Sequence, residues 1–406
     1  MTISRKNISW MLVANLSRAG SSASVFFLVG KFIGAIDFAI FSAIMATAAI
    51  AGPFSAFGFG GEAIRKVAQN ECELKDVVGK VFFAIIASNF FVVPVVIAFW
   101  SVVYDDGLIA LAAWAISELV FYKTIEIISQ IYQAKGETKK CAQVIILHSI
   151  FRVFAIISLF LFGEKITTDQ VSLVALVFNS IFSFFLVALF CFDFKIRPSF
   201  LVVGKRELSR SISFSVGLSS QGIYNDADKI IVSRFSADLA GGGVYAMAYK
   251  IIDMVCMPLK SLLSISYPKF FEHGVGGVSS AYSYAKIILK KSIKIGVFAT
   301  LMAVVVSFLI EKIMGVDYRG IFACVIIISF IPLIRSVHYV LGDCLTGAGY
   351  QKTRSIVQSI IAFSSICFSI PAVMSFGYIG AAFVSVFCDV LLLAGLFFCI
   401  KRNLAN

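Results

Sequence analysis

Seven basic side chains stand inside long apolar runs of this 406-residue chain: Arg18, Lys123, Arg152, Lys229, Lys250, Lys260 and Arg335. Each would cost about 2.5–3.5 kcal/mol at the centre of a membrane helix, so seven facing lipid would cost on the order of 20 kcal/mol. They must face counter-charges or water instead. Three have a carboxylate one turn away, Glu126 for Lys123, Asp226 for Lys229 and Asp253 for Lys250, at a spacing that puts both charges on one helix face. Arg18, Arg152, Lys260 and Arg335 have no acid three or four positions away. Cations gathered in a wet cavity bind anions, and a pyrophosphate or an acidic sugar suits the two-pronged guanidinium. The expectation is that Arg18, Arg152, Lys250 and Arg335 supply a positive field for an anionic substrate. Lys123, Lys229 and Lys260 are further contacts or members of structural ion pairs.

Other polar residues share these runs: Asn15, Glu118, Gln130, Gln133, His148, Asn179, Gln221, Asn225, His338, Asp343 and Asp389. Glu118, Tyr122 and Glu126, spaced i, i+4, i+8, share a helix face that reads either as a proton or cation relay or as helix–helix contacts. Pro94, Pro258, Pro332 and Pro371 fall inside predicted helices and are expected to kink them.

The runs themselves define the class. The chain is 59% hydrophobic, 14% charged and has a mean hydropathy of +0.94, whereas soluble domains carry about 25% charged residues. Apolar stretches long enough to cross a bilayer core of about 30 Å recur along it, which predicts an all-α integral membrane protein. A β-barrel would show short alternating segments instead. Spans are predicted at about 8–33, 38–60, 78–101, 108–131, 142–163, 170–193, 211–236, 241–268, 287–310, 321–343, 353–375 and 378–400, twelve in all. Arg5 and Lys6 precede an apolar stretch, but it continues past Arg18 to Phe32, too far for a cleaved signal, so it is read as the first span. The nine cysteines are scattered singly, with no C-x-x-C pair, and read as small buried hydrophobes; no metal site or cofactor is implied.

The net charge of +12 carries orientation rather than a nucleic-acid partner. Alternate connections are basic, holding 23 Lys and Arg between them, against five in the intervening ones, Lys31, Lys165, Arg234, Lys312 and Arg319. Since basic flanks stay inside, both termini are assigned to the cytoplasm.

The stretch AFGFGGEAIRK contains Gly58-x-Gly60-x-x-Ala63, the letters of a dinucleotide-binding fingerprint. That fingerprint needs a short strand before it and a crossover helix after it. Here an apolar span precedes and a basic polar loop follows, so the glycines are read as ending the second span, with Pro53 letting it bend or unwind. A faint internal repeat lays VGKFIGAIDFAIFSAIMA, from Val29, on VSRFSADLAGGGVYAMAYK, from Val232, at an offset of 203, half the chain. It predicts two parallel six-helix lobes, 1–200 and 201–406, and the cations within the spans are expected to line a central cavity. No connection is long enough for a folded extramembrane domain.

PFSAFGFGGEAIRKVAQNE, NDADKIIVSRFSADLAGGGVYAMAYKIIDMVCMPLKSLLSISYPKF, TGAGYQKTRSIVQS and FGYIGAAFVSVFCDVLLL together resemble the Wzx-type O-antigen and polysaccharide repeat-unit flippases. That family lies within the multidrug/oligosaccharidyl-lipid/polysaccharide exporter superfamily. The likeness runs over nearly the whole chain, although GGGVY carries one glycine more than the usual pattern. It implies a transporter in the bacterial inner membrane, not an enzyme, that moves an undecaprenyl-pyrophosphate-linked oligosaccharide from the cytoplasmic to the periplasmic leaflet by alternating access. It also implies a role in lipopolysaccharide biosynthesis beside other polysaccharide assembly proteins. Coupling to proton or sodium re-entry would fall to Glu118, Glu126 or Asp253. Two other readings stay open: a multidrug/cation antiporter of the same superfamily, and a membrane polysaccharide polymerase.

Overall fold

The computed structural model describes residues 5–69, 72–162, 166–196 and 200–405. Lys165 and Arg197, both counted in the topology, lie outside the described residues. Among those described, the chain is helical throughout with no strand. The helices are α1 (Arg5–Ala51), α2 (Phe59–Gln69), α3 (Leu74–Val103), α4 (Leu108–Ile116), α5 (Lys123–Ala134), α6 (Thr138–Phe162) and α7 (Thr168–Phe194). They continue as α8 (Lys205–Phe235), α9 (Gly241–Val255), α10 (Met257–Gly274), α11 (Gly277–Met314), α12 (Ile321–Ile328), α13 (Ile331–Gly347) and α14 (Gln351–Ala405).

Seven helical stretches among the described residues are long and apolar enough to cross a membrane, or eight if the pair bent by 46° between Val316–Ile328 and Ile331–Gly347 is one span. Two of the longest are interrupted by glycine: α1 leaves helical geometry at Gly34 (φ 81°) and α14 at Gly377 (φ 58°). Positive φ is cheap only without a Cβ, so each glycine permits a turn inside what is otherwise a continuous run. Phe90, Phe91, Phe184, Phe298 and Leu301 stand exposed on the outer faces, an apolar surface suited to lipid.

The chain divides into two compact units, Met1–Ile33 with Ala43–Ser219, and Gly34–Ser42 with Ser220–Asn406. The core of the first joins Phe59 and Ala63 of α2, Val77, Val81 and Ile85 of α3, Ile128 and Tyr132 of α5, and Phe182 and Phe190 of α7. Between α1 and α2 the backbone unwinds over Gly52–Gly58, with Ala56 and Phe57 left-handed beside Gly58. Its polar groups find partners at once. Ser55 Oγ donates to Leu119 O at 2.5 Å, Asn89 Nδ2 donates to Ser55 Oγ and to Leu119 O, and Ser88 Oγ accepts from Ala56 N at 2.8 Å. From α8, Ser215 Oγ donates to Pro53 O and Ser219 Oγ to Ile50 O. A side chain at Gly58 would lie 2.1 Å from Ser215 Oγ and 2.5 Å from Ser211 O, so this glycine is required by contact as well as by its φ of +71°. The bend expected at Pro53 and the glycines is therefore present, and α2 leads away from it as a short amphipathic helix.

In the second unit the core joins Leu259 and Phe270 of α10, Ala281 and Ile288 of α11, Leu341 and Leu345 of α13, and Leu392 and Leu396 of α14. The three glycines that open α9 allow close approach. A Cβ at Gly243 would meet Ala35 O at 2.2 Å, one at Gly242 would meet Ala39 Cβ at 2.7 Å, and one at Gly241 would meet Tyr378 Cδ1 at 2.7 Å. The extra glycine of GGGVY is thus a packing requirement.

Gly243→Ala should lower stability by about 1–3 kcal/mol, because Ala35 is backbone and cannot yield without moving its helix. Gly20→Ala, with nothing within 4 Å, should be neutral or stabilise by about 0.5–1 kcal/mol. Thermal unfolding of the two detergent-solubilised variants, followed by cysteine accessibility, checks the ordering.

Candidate functional site

The charged residues of the spans fall into two groups, one in each unit. In the first unit they sit where α4 passes into α5 through a π-helical turn, Ser117–Tyr122. Such turns widen the helix and re-aim its side chains, and they occur often at functional sites. Here the turn carries Glu118 and Tyr122. Glu118 lies in the electrostatic field of Arg152 on α6 and of Glu126 on α5; Tyr122 lies in those of Arg18, Glu118, Glu126 and Arg152. Glu118, Tyr122 and Glu126 thus remain electrostatic neighbours across the wider turn. Lys123 pairs with Glu126 at 2.9 Å, as its i, i+3 spacing implies.

A neutral chain supports this face from behind. Asn179 Nδ2 on α7 donates to Ser117 Oγ at 2.9 Å, and Asn179 Oδ1 meets His148 Nε2 on α6 at 2.9 Å. Arg18 is exposed and Arg152 partly so. Among the described residues, neither has a carboxylate within ion-pair distance, and Glu118 has no cation at that range. Three cations, Arg18, Lys123 and Arg152, thus face two carboxylates, Glu118 and Glu126, and only one pair is closed.

The second unit is arranged in the opposite way. Arg335 on α13 is 2% exposed, and its Nε has no hydrogen-bond partner among the described residues. Its Nη2 donates to Tyr249 Oη at 2.7 Å, its Nη1 lies 3.7 Å from Asp253 Oδ1, both on α9, and its Nε lies 3.5 Å from Asp389 Oδ2 on α14. Asp389 Oδ1 also accepts a hydrogen bond from Tyr224 of α8 and meets His338 Nε2 at 3.0 Å. Lys260 on α10 reaches the same oxygen of Asp253 that Arg335 contacts, at 3.5 Å. Lys229 pairs with Asp226 at 2.6 Å, donates to Asn225 O and lies 4.6 Å from the centre of the Tyr249 ring, a cation–π arrangement. Lys250 acts on Asp253 through space. A second buried carboxylate, Asp228, accepts from Tyr245 at 2.5 Å and from Ser385 at 3.2 Å.

Four cations, Lys229, Lys250, Lys260 and Arg335, are therefore set against four carboxylates, Asp226, Asp228, Asp253 and Asp389. The predicted site residues are not one ring of free cations. Arg18 and Arg152 are open, Lys123 and Lys229 are paired along their own helices, Lys260 is half exposed on Asp253, and Arg335 is an internal anchor. Asp389 and His338 were visible as polar residues in apolar runs. Tyr224, Tyr249 and Tyr245 carried no sequence signal, because a tyrosine in an apolar run reads as core, whereas Asp228, an acid inside the predicted span 211–236, did carry one.

Asp389→Asn keeps an acceptor for Tyr224 and removes only the charge, so it should destabilise on the order of 3 kcal/mol by leaving Arg335 under-neutralised. Adding Arg335→Met should restore most of that loss. A double-mutant cycle on thermal unfolding reads the difference.

Residues 4–273 match the family described as "Polysaccharide biosynthesis protein". No curated protein sequence matches the chain. Three similar solved structures share its fold over nearly its whole length. An inward-facing multidrug resistance MATE family transporter of the MOP superfamily is 14% identical, with a TM-score of 0.69, over 98% of each chain. The lipid II flippase MurJ in its inward closed conformation is 15% identical, with a TM-score of 0.65, over 97% of this chain and 87% of that one. A MOP superfamily transporter from Pyrococcus furiosus, described by the reverse polarity of its binding pocket, is 14% identical, with a TM-score of 0.52, over 98% and 92%. A multi-pass membrane protein with this sequence match and this fold belongs to the polysaccharide biosynthesis protein family, built on the scaffold of MOP-superfamily transporters.

Proposed function

We propose that this protein is a flippase for undecaprenyl-pyrophosphate-linked polysaccharide repeat units, O-antigen units among them, and carries them from the cytoplasmic to the periplasmic leaflet of the bacterial inner membrane. The observation that carries the reading is the pair of arginines without a carboxylate partner, Arg18 and Arg152, beside the π-helical turn of the first unit. An anion carrier needs cations that are not already neutralised. A drug-cation antiporter would need the reverse.

The proposed architecture has twelve spans, six in each of the lobes 1–200 and 201–406, around a central hydrated cavity. Splitting α1 at Gly34 and α14 at Gly377 divides two long helices into two spans each. The regions of α8 and of α9 with α10 then supply the remaining spans. They fall short of ordinary membrane apolarity because they hold Asp226, Asp228, Lys229, Lys250, Asp253 and Lys260. Such helices tolerate the bilayer when their charges are paired, as Lys229 is with Asp226 and Lys260 with Asp253.

In this reading Arg18 and Arg152 take the pyrophosphate, with Lys250 and Lys260 adding to the field and Lys123, Lys229 and Arg335 acting chiefly through their ion pairs. The polyprenyl tail stays in lipid while the sugars cross in water. Outward movement of negative charge is favoured by an inside-negative potential by about 2.3 kcal/mol per charge per 100 mV. Coupling to a proton or sodium ion falls to Glu118, Glu126 or Asp253, of which Glu126 and Asp253 are held in ion pairs and Glu118 has no cation at that range among the described residues.

Arg18→Ala and Arg152→Ala should each cause lipid-linked repeat units to accumulate on the cytoplasmic face and surface polysaccharide to fall by on the order of tenfold, one charge-assisted contact's worth. Wild-type polysaccharide in both would reject the assignment, and accumulation on the periplasmic face would point to a polymerase. The proposed topology puts the exposed Cys72, which precedes α3, in the cytoplasm. With the other cysteines replaced, a membrane-impermeant maleimide should label it in inverted vesicles and not in intact spheroplasts.

A further inference from the structure

The chain has three histidines, and two are buried, His148 and His338. They face different chemistry. His148 meets the amide of Asn179, whereas His338 meets the carboxylate of Asp389. An ionised carboxylate only accepts, so neutral His338 must present Nε2–H to Asp389, which leaves Nδ1 as the atom able to take a proton. Asp389 is already shared: its Oδ2 is 3.5 Å from Arg335 Nε, a looser contact than the 3.0 Å to His338. Beyond Arg335 the charges alternate outward, through Asp253, with 39% of its side chain exposed, to Lys260 at 51%. Asp389 and Arg335, at 1% and 2%, form the buried end of this line.

We propose that His338 is the proton-binding site that links proton uptake to anion binding, acting through Asp389, Arg335 and Asp253 on Lys260. One proton adds to Nδ1 and no covalent bond breaks. The imidazolium then satisfies Asp389, and Arg335 turns from Asp389 to Asp253. Because Arg335 and Lys260 contact the same oxygen of Asp253, the guanidinium displaces the ammonium. Lys260, the exposed end of the line, is released to an anion. The cluster passes from four cations against four carboxylates to a net charge of +1, and that charge is delivered at the surface rather than at the buried histidine. His338 is thus a positioning residue and Lys260 the contact. The inference rests on the flippase reading and goes beyond it by assigning the proton.

The groups that face His338 are consistent with this direction. On its own helix stand Arg335 and Tyr339, and α14 brings Asp389 and Arg354; Tyr224 of α8 bonds to Asp389, and Tyr249 and Asp253 of α9 contact Arg335. From α10, Lys260 reaches Asp253. On α11 the hydroxyl of Ser292 bonds to Ser336 O, and the lysines at 286, 290, 291 and 294 are exposed. Asp389 is the carboxylate in direct contact with the imidazole, so it alone holds the added proton's charge in place.

The test is calorimetric titration of the purified full chain in lipid nanodiscs with farnesyl pyrophosphate, in buffers of differing ionisation enthalpy. Wild type should take up close to one proton per pyrophosphate bound, with affinity falling about tenfold per pH unit on the alkaline side. His338→Gln should bind with almost no proton uptake, and Lys260→Gln should bind on the order of tenfold more weakly, as for one lost charge-assisted bond. Undiminished proton uptake in His338→Gln would overturn the proposal while leaving the flippase reading intact. Failure of wild type to bind the pyrophosphate at any pH would instead overturn that reading. Should His338→Gln not fold, ¹⁵N-histidine spectra of His148→Gln/His273→Gln protein supply the same answer. Ligand should convert the remaining imidazole to its doubly protonated signature, and a neutral signature in the bound state overturns the proposal.

Discussion

A guanidinium can be kept from water only if a carboxylate goes with it, and the second unit is organised by that constraint. Withdrawing either ion of the Arg335–Asp389 pair from water costs several kcal/mol, and their mutual attraction offsets this only when the remaining protons and lone pairs are also bonded. The structure goes part of the way, with Tyr249 and Asp253 on the arginine and Tyr224 and His338 on the aspartate, while among the described residues Arg335 Nε and Asp389 Oδ2, 3.5 Å apart, have only each other's charge. These partners come from α8, α9, α13 and α14. A slide of any one of these helices by a turn would strand a buried charge, so the network fixes their register more firmly than apolar packing alone could. Asp228, bonded to Tyr245 and Ser385, repeats the device between α8, α9 and α14.

The first unit meets a related demand with backbone instead of charge. An unwound segment packed away from water must find a partner for every amide and carbonyl. In Gly52–Gly58, where Ser55 and Ala56 are buried, Ala56 N donates to Ser88 and Pro53 O accepts from Ser215, while Asn89 holds the Ser55 hydroxyl, all short side chains whose reach is small. The close approach that brings Ser211 and Ser215 to the turn is what excludes a side chain at Gly58. A sequence that resembled a nucleotide-binding loop is thus a helix break sealed by serines, and its glycines answer to packing.

Much of this was legible in the sequence, and the part that was not has a physical reason. Helical spans announce themselves because lipid demands some 20 apolar residues in a row. Lys123–Glu126 and Lys229–Asp226 could be read from spacing, since three residues along a helix is a neighbouring position in space. The partners of Arg335 could not, because they sit on helices whose place beside α13 is set by tertiary packing. For the same reason Lys260 appeared unpartnered until Asp253, seven residues before it and across the junction of α9 and α10, was seen to reach it. Breaks at Gly34 and Gly377 were implied by the length of the apolar runs, whereas the π-helical turn at Ser117–Tyr122 left no mark in the sequence.

The unequal neutralisation of the two units suits a carrier better than a uniform ring of cations would. A pyrophosphate held by many unpaired arginines would bind tightly and leave slowly, since every charge-assisted bond made on entry has to be broken on release. In the proposed flippase, two open arginines in one unit would give capture. In the other, a network whose charges cancel adds little attraction by itself, yet its members are poised between alternative partners, two cations on one oxygen of Asp253 and two donors on one oxygen of Asp389. Shared acceptors of this kind make small changes in charge consequential, because a new partner at one node must be matched by the loss of one at the next. Transport in this frame depends less on how many cations a membrane protein buries than on how many of them its own carboxylates have left unclaimed.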